Sequence, residues 1–219
     1  MQKRKERECE MIRSMVFLIM MLAFCFTEAT AAQTASEYLR NRGGESQDSE
    51  DPLIAAFIRT LSASKEGRWT EVEANVSDLT PVLKKYATQF RVDLAPRLKK
   101  GAAANDSNEI AKSFAHVLFL GMSENFHQAI EERFKNYERS SYLLATALYY
   151  YERVLAGNIK RKEPSVHDEI MRQFEQAQLA IGNPGLLGAG KLDPDPQRFA
   201  SAAKAIEMNI KRVYTYFAK

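Results

Sequence analysis

The chain has 219 residues, enough for one large domain or two small ones. With 45% hydrophobic and 27% charged residues it is neither collagen-like nor a disordered charged tail. Lys and Arg total 31 against 28 Asp and Glu, and the net charge of +3 makes no electrostatic case for nucleic acid.

The N-terminal segment has the three parts of a secretory signal. Lys3, Arg4, Lys5, Arg7 and Arg13 form a basic start. Met15 to Phe26 is an uncharged apolar run of 12 residues, and Ala29, Ala31 and Ala32 supply a small-residue cleavage site. A membrane-spanning helix needs about 20 apolar residues, so no stable span is expected once the signal is removed. Residues 1–32 are thus expected to be a cleaved signal peptide that exports the protein, to the periplasm of a Gram-negative bacterium or otherwise as a secreted product. Met11 is an alternative start. An uncleaved anchor and lipidation at Cys25 are alternatives to cleavage, although bulky Phe24 sits where lipidation wants a small residue.

Cys9 and Cys25 are the chain's 2 cysteines, and both lie in this segment. A cleaved chain would have no disulfide, thiolate metal site or covalent haem attachment. Cleavage would also remove five cations and four acids (Glu6, Glu8, Glu10, Glu28), lowering the net charge by one, to +2.

Residues 33–50 read as a flexible polar leader. From residue 51 to 219 the pattern is that of a single helical domain. Asp51-Pro52 is an N-cap followed by proline at the first helical position. Trp69, Val72, Val76, Leu79, Leu83, Tyr86 and Phe90 follow at alternating spacings of three and four. That stripe stays in phase across Pro81 and predicts one kinked helix, with a fresh start at Thr80 as the alternative. A short helix is expected over 94–104.

Asp106-Ser-Asn-Glu109 reads as a capping box opening a long helix to about Glu138. Near Leu118–Met122 nearly every face of it is apolar, the mark of a buried position. Residues 141–156 carry two apolar stripes and should be sandwiched, ending at Gly157-Asn158. Pro164 to Ile181 and Asp195 to Phe217 complete the set, the last with Phe199, Ala203, Ile206, Ile210, Val213 and Phe217 on one stripe. No alternating strand pattern exceeds four residues. The predicted fold is all-α, an antiparallel helical bundle of five to seven helices.

Candidate chemistry is sparse. Gly185 to Lys191 fits a phosphate-loop spacing, but Leu192 stands where a magnesium-binding Ser or Thr is needed and a helix precedes the loop, so a connector is expected. Glu124 and His127 form one Glu-x-x-His pair. A two-metal bundle site needs two copies and two further carboxylates. A single transition-metal ion held by Glu124, His127, Glu131 and His167 is the form that survives. His116, in the most apolar stretch and near Met122, would suit non-covalent haem. It lies 11 residues before His127, about 20° around the helix but roughly 16 Å along it, so the two share a face without sharing one ion.

Tyr142, Tyr149, Tyr150 and Tyr151 mark a candidate surface for a ligand or partner protein, since tyrosine combines an apolar body with a polar tip. No nucleophile–base pair stands out, so an enzyme is the least supported class. The sequence therefore favours an exported, non-enzymatic bundle that binds a small ligand or a protein partner, with a metal- or haem-binding bundle as the alternative.

Overall fold

A computed structural model describes residues 51–185 and 190–218. The expected signal peptide, polar leader and centre of the glycine-rich loop lie outside them. The described residues are all-helical, and the one β-type pairing among them is an isolated bridge between Asn183 and Leu192. No helix among them is long and apolar enough to cross a membrane.

The helices run in order α1 (Pro52–Lys65), α2 (Trp69–Asp78), α3 (Thr80–Phe90), α4 (Ala95–Ala103), α5 (Ser107–Glu131) and α6 (Tyr137–Tyr150). A π-helical turn (Tyr151–Leu155) leads into α7 (Ala156–Lys162), followed by α8 (Pro164–Ala180) and α9 (Pro196–Val213). A 3-10 turn over Thr215–Ala218 is the last described element.

Local chemistry accounts for most boundaries. Asp51 Oδ1 accepts from the amides of Leu53 and Ile54 at 2.9 and 3.1 Å, capping α1. Asp106 Oδ1 does the same for Asn108 and Glu109, both at 3.0 Å, at the start of α5. The expected capping box is only half made, because Glu109 turns outward to Arg97 Nε at 2.5 Å. Asp195 caps α9 through the amide of Arg198 at 2.9 Å. Gly182, at φ +83, turns the chain after α8, where a Cβ would fall 2.4 Å from the Leu192 carbonyl oxygen.

Three boundaries differ from the sequence pattern. The stripe across Pro81 is carried by two helices, not one. Proline cannot donate a helical hydrogen bond, and the chain breaks at Leu79, which keeps a right-handed helical conformation (φ −78, ψ −6). The phase survives the break, so Val72, Val76, Leu79, Leu83 and Tyr86 are all buried.

The long helix stops at Glu131 instead of near Glu138. Arg133 and Phe134 adopt left-handed φ of 52 and 53, and Asn136 caps α6. Burial of Phe134 against Phe199, at 4.9 Å between ring centroids, offsets the cost of that conformation. Gly157-Asn158, for its part, does not stop its helix. Ala156 and Ile159 are buried on either side, and the helix runs to Lys162, before Pro164 forces Glu163 out of helical geometry (φ −143, ψ 76).

The core is organised around α5. Every residue from Ser113 to Ser123 is buried. Helices α1, α3, α4, α6 and α9 and the π turn all contact α5. The two apolar stripes of α6 are likewise buried on both sides, with Leu143, Leu144, Ala147, Leu148, Tyr150, Tyr151 and Leu155 all in the core.

Two tyrosines meet over the single glycine of α5. A Cβ on Gly121 would lie 3.0 Å from Tyr150 Cε2 and 3.1 Å from the Tyr86 hydroxyl. Tyr150 donates to Asp51 Oδ2 at 2.8 Å, joining α6 to the cap of α1. Gly121→Val should force both rings aside and destabilise the protein by about 1–3 kcal/mol. Urea denaturation monitored by circular dichroism checks this, and an unchanged midpoint would refute the close packing.

Candidate functional site

A cleft of about 230 Å³ opens beside α5. One helical face supplies His116, Phe119, Leu120, Ser123 and His127, Phe90 and Val92 come from the end of α3 and the connection after it, α9 gives Glu207 and Lys211, and the final turn brings Phe217. The spacing His116, Leu120, Ser123, His127 is the helical four-three-four repeat that puts side chains on one stripe. The two histidines that share a face in the sequence thus line one cavity.

The segment after α9 builds one wall. Helix α9 ends at Val213 because Tyr214 leaves helical geometry (φ −99, ψ 68). The Tyr214 hydroxyl donates to the Leu155 carbonyl oxygen at 2.9 Å, at the end of the π turn. Tyr214 and Phe217 stack 4.9 Å apart with only 6° between their planes. Phe217 in turn stacks on His116 at 4.5 Å and meets Phe119 at 5.1 Å. Arg97 lies 5.6 Å from the Tyr216 ring centroid.

His116 is 1% exposed, and its Nδ1 has no hydrogen-bond partner. Burial, followed by the charges of Arg97 and Lys211, holds its imidazole down at about 4, so it is neutral at physiological pH. Lys211 Nζ sits 5.4 Å from the Phe119 ring centroid. His127 is exposed and packs against Phe90, with 5.4 Å between ring centroids. Ser123 and His127 are one turn apart, and among the described residues no hydrogen bond joins them.

The residues singled out for metal are dispersed. Glu124 pairs with Lys85 and accepts from the Tyr86 hydroxyl, which burial and that carboxylate hold above its ordinary range. Glu131 is exposed near the end of α5. His167, on the first turn of α8, shares a 2.7 Å hydrogen bond between its Nδ1 and the Tyr151 hydroxyl. Among the described residues no three His, Asp or Glu side chains are grouped so that they could hold a metal ion. Glu124, His127, Glu131 and His167 are therefore not gathered as a ligand set. His116, the residue singled out for haem, is buried with Phe217 stacked on its ring at 4.5 Å.

The tyrosine surface is corrected in part. Tyr142 is 48% exposed and Tyr149 is half-buried, but Tyr150 and Tyr151 are core residues engaged with Asp51 and His167. Tyr149, Tyr150 and Tyr151 are consecutive, so on a segment enclosed on two sides they cannot all face water. Sequence reasoning missed the cleft itself. The two-histidine stripe on α5 was a usable signal, as was the acid–base pair Glu207 and Lys211 one turn apart on α9. The placement of Phe217 was not legible, because its spacing continues the apolar stripe of α9. Comparison with known proteins finds no matching family model, no similar curated protein and no similar solved structure.

The buried imidazole makes stability depend on pH. Unfolded His116 takes up a proton near pH 6.5, while the folded side chain resists until about pH 4. Stability should therefore fall as pH drops from 6.5 towards 4, by about 3 kcal/mol, with no contribution from this group above that window. His167 is also lowered by burial and acts in the same direction, so the readout is the difference between the parent and His116→Leu. Urea midpoints at pH 7, 6, 5 and 4 should diverge between the two proteins, and parallel curves would refute the assignment.

Proposed function

We propose that this protein is an exported, non-enzymatic antiparallel helical bundle that binds a small ligand in the cleft between α5, α9 and the final turn. The observation that carries the reading is the buried, unpartnered Nδ1 of His116 in the stack of residues that lines this cleft. A buried polar atom without a partner costs free energy, and a ligand or a bound water that satisfies it returns that cost. The surroundings have the mixed character of a recognition site, with an apolar aromatic wall and a few polar groups that fix orientation. The sequence adds the signal-like residues 1–32, the polar segment 33–50 and the single domain over 51–219.

A panel of single-ring compounds tests the binding site by thermal shift. Members that fit should raise the melting temperature of the parent protein. Val92→Trp fills the mouth from a half-buried loop position, so it should weaken binding about tenfold or more without unfolding the protein. Binding that ignores this substitution, or no binding at all, would overturn the reading. Export has its own check. Mass spectrometry of the protein recovered outside the cytosol should find an N-terminus at residue 32 or 33, and one upstream of residue 28 would contradict signal cleavage.

A further inference from the structure

We infer that the cleft is selective for a small aromatic zwitterion, an aromatic α-amino acid whose carboxylate meets Lys211 and whose ammonium meets Glu207. The inference rests on the ligand-binding reading above and names the ligand class.

Charge supplies the polar half of the site. Glu207 and Lys211 are one turn apart on α9 and both line the cavity. A glutamate four residues before a lysine is the favourable order for an ion pair along a helix. Yet among the described residues neither side chain takes part in an ion pair. The nearby Arg97 is already committed to Glu109, so it competes for neither charge. The cleft thus presents one available cation and one available anion, about 5–6 Å apart at their Cβ atoms, a spacing that the two charged groups of one amino-acid head can bridge.

Shape supplies the ring. The apolar wall is Phe90, Phe119, Leu120 and Phe217, and aromatic partners prefer offset or edge-to-face contact with such a wall. The volume of about 230 Å³ exceeds the roughly 150 Å³ that suits benzene by enough for a short polar head. Lys211 Nζ already lies 5.4 Å from the Phe119 ring centroid, which puts the cation at the border between the wall and the polar side. His116 and Ser123 remain on the same α5 stripe to hydrogen-bond the head or a ring substituent.

Isothermal titration calorimetry of the purified protein with three probes tests the inference: L-phenylalanine, 3-phenylpropanoate, which lacks the ammonium, and 2-phenylethylamine, which lacks the carboxylate. L-Phenylalanine should bind one per chain, and each single-charge analogue should bind about tenfold more weakly or worse. Glu207→Gln should erase the preference over 3-phenylpropanoate, and Lys211→Met the preference over 2-phenylethylamine. Glu207 is half-buried and Lys211 exposed, so circular dichroism should show both variants folded. If an analogue binds as tightly as L-phenylalanine and Val92→Trp still weakens it, the zwitterion inference fails and the cleft remains a ligand site. The zwitterion inference also fails, with the ligand site intact, if none of the three binds while another single-ring compound does. If nothing binds the cleft, both readings fail.

Discussion

Helix α5 has no solvent face between Ser113 and Ser123, and that enclosure governs the rest of the molecule. An ordinary surface helix shows one apolar stripe and turns the other side to water. Here neighbours approach from every direction, so each position must match a different surface. Phe114 meets Phe57 on α1, Phe119 meets Phe217, and Gly121 makes room for rings from α3 and α6. The same enclosure strands polar groups. Ser113 Oγ and His116 Nδ1 are buried without partners, and those are the positions where packing alone gives no account of the residue chosen.

The π turn and the final turn form a second, linked arrangement. Tyr214 donates to the Leu155 carbonyl at the end of the π turn, and the stack Tyr214–Phe217–His116 carries that attachment to the cleft. Tyr151 opens the same π turn and bonds His167 on α8. Residues distant in sequence thereby hold the cleft wall at a fixed height over α5.

Legibility followed the range of the interactions. Helical period, N-caps and prolines are local signals, and Asp51, Asp106, Pro164, Gly182 and Asp195 sit where those signals placed them. The break at Leu79 was undetectable by phase alone, since both halves of the stripe keep the same face inward. The left-handed pair Arg133–Phe134 depends on Phe199, a long-range contact that no local pattern announces. The candidate site was hidden for the same reason. His116, Ser123 and His127 share a readable stripe, but Glu207, Lys211 and Phe217 join them only through the packing of α9 on α5. The metal-like pair Glu124 and His127 was legible as a spacing and misleading as a site, because Glu124 is taken by Lys85 and Tyr86 on α3 while His127 packs on Phe90, one turn further along the same helix.

The order of elements has a bearing on biosynthesis. Tyr214 and Phe217 follow every helix that lines or supports the cleft. Helices α1 to α8 can collapse around α5 while α9 is still inside the ribosome, but the pocket is complete only once the turn over Thr215–Ala218 has emerged. Until then the His116 ring lacks its stacking partner Phe217. The wall formed by Tyr214 and Phe217 is then the last of the described residues to fall into place.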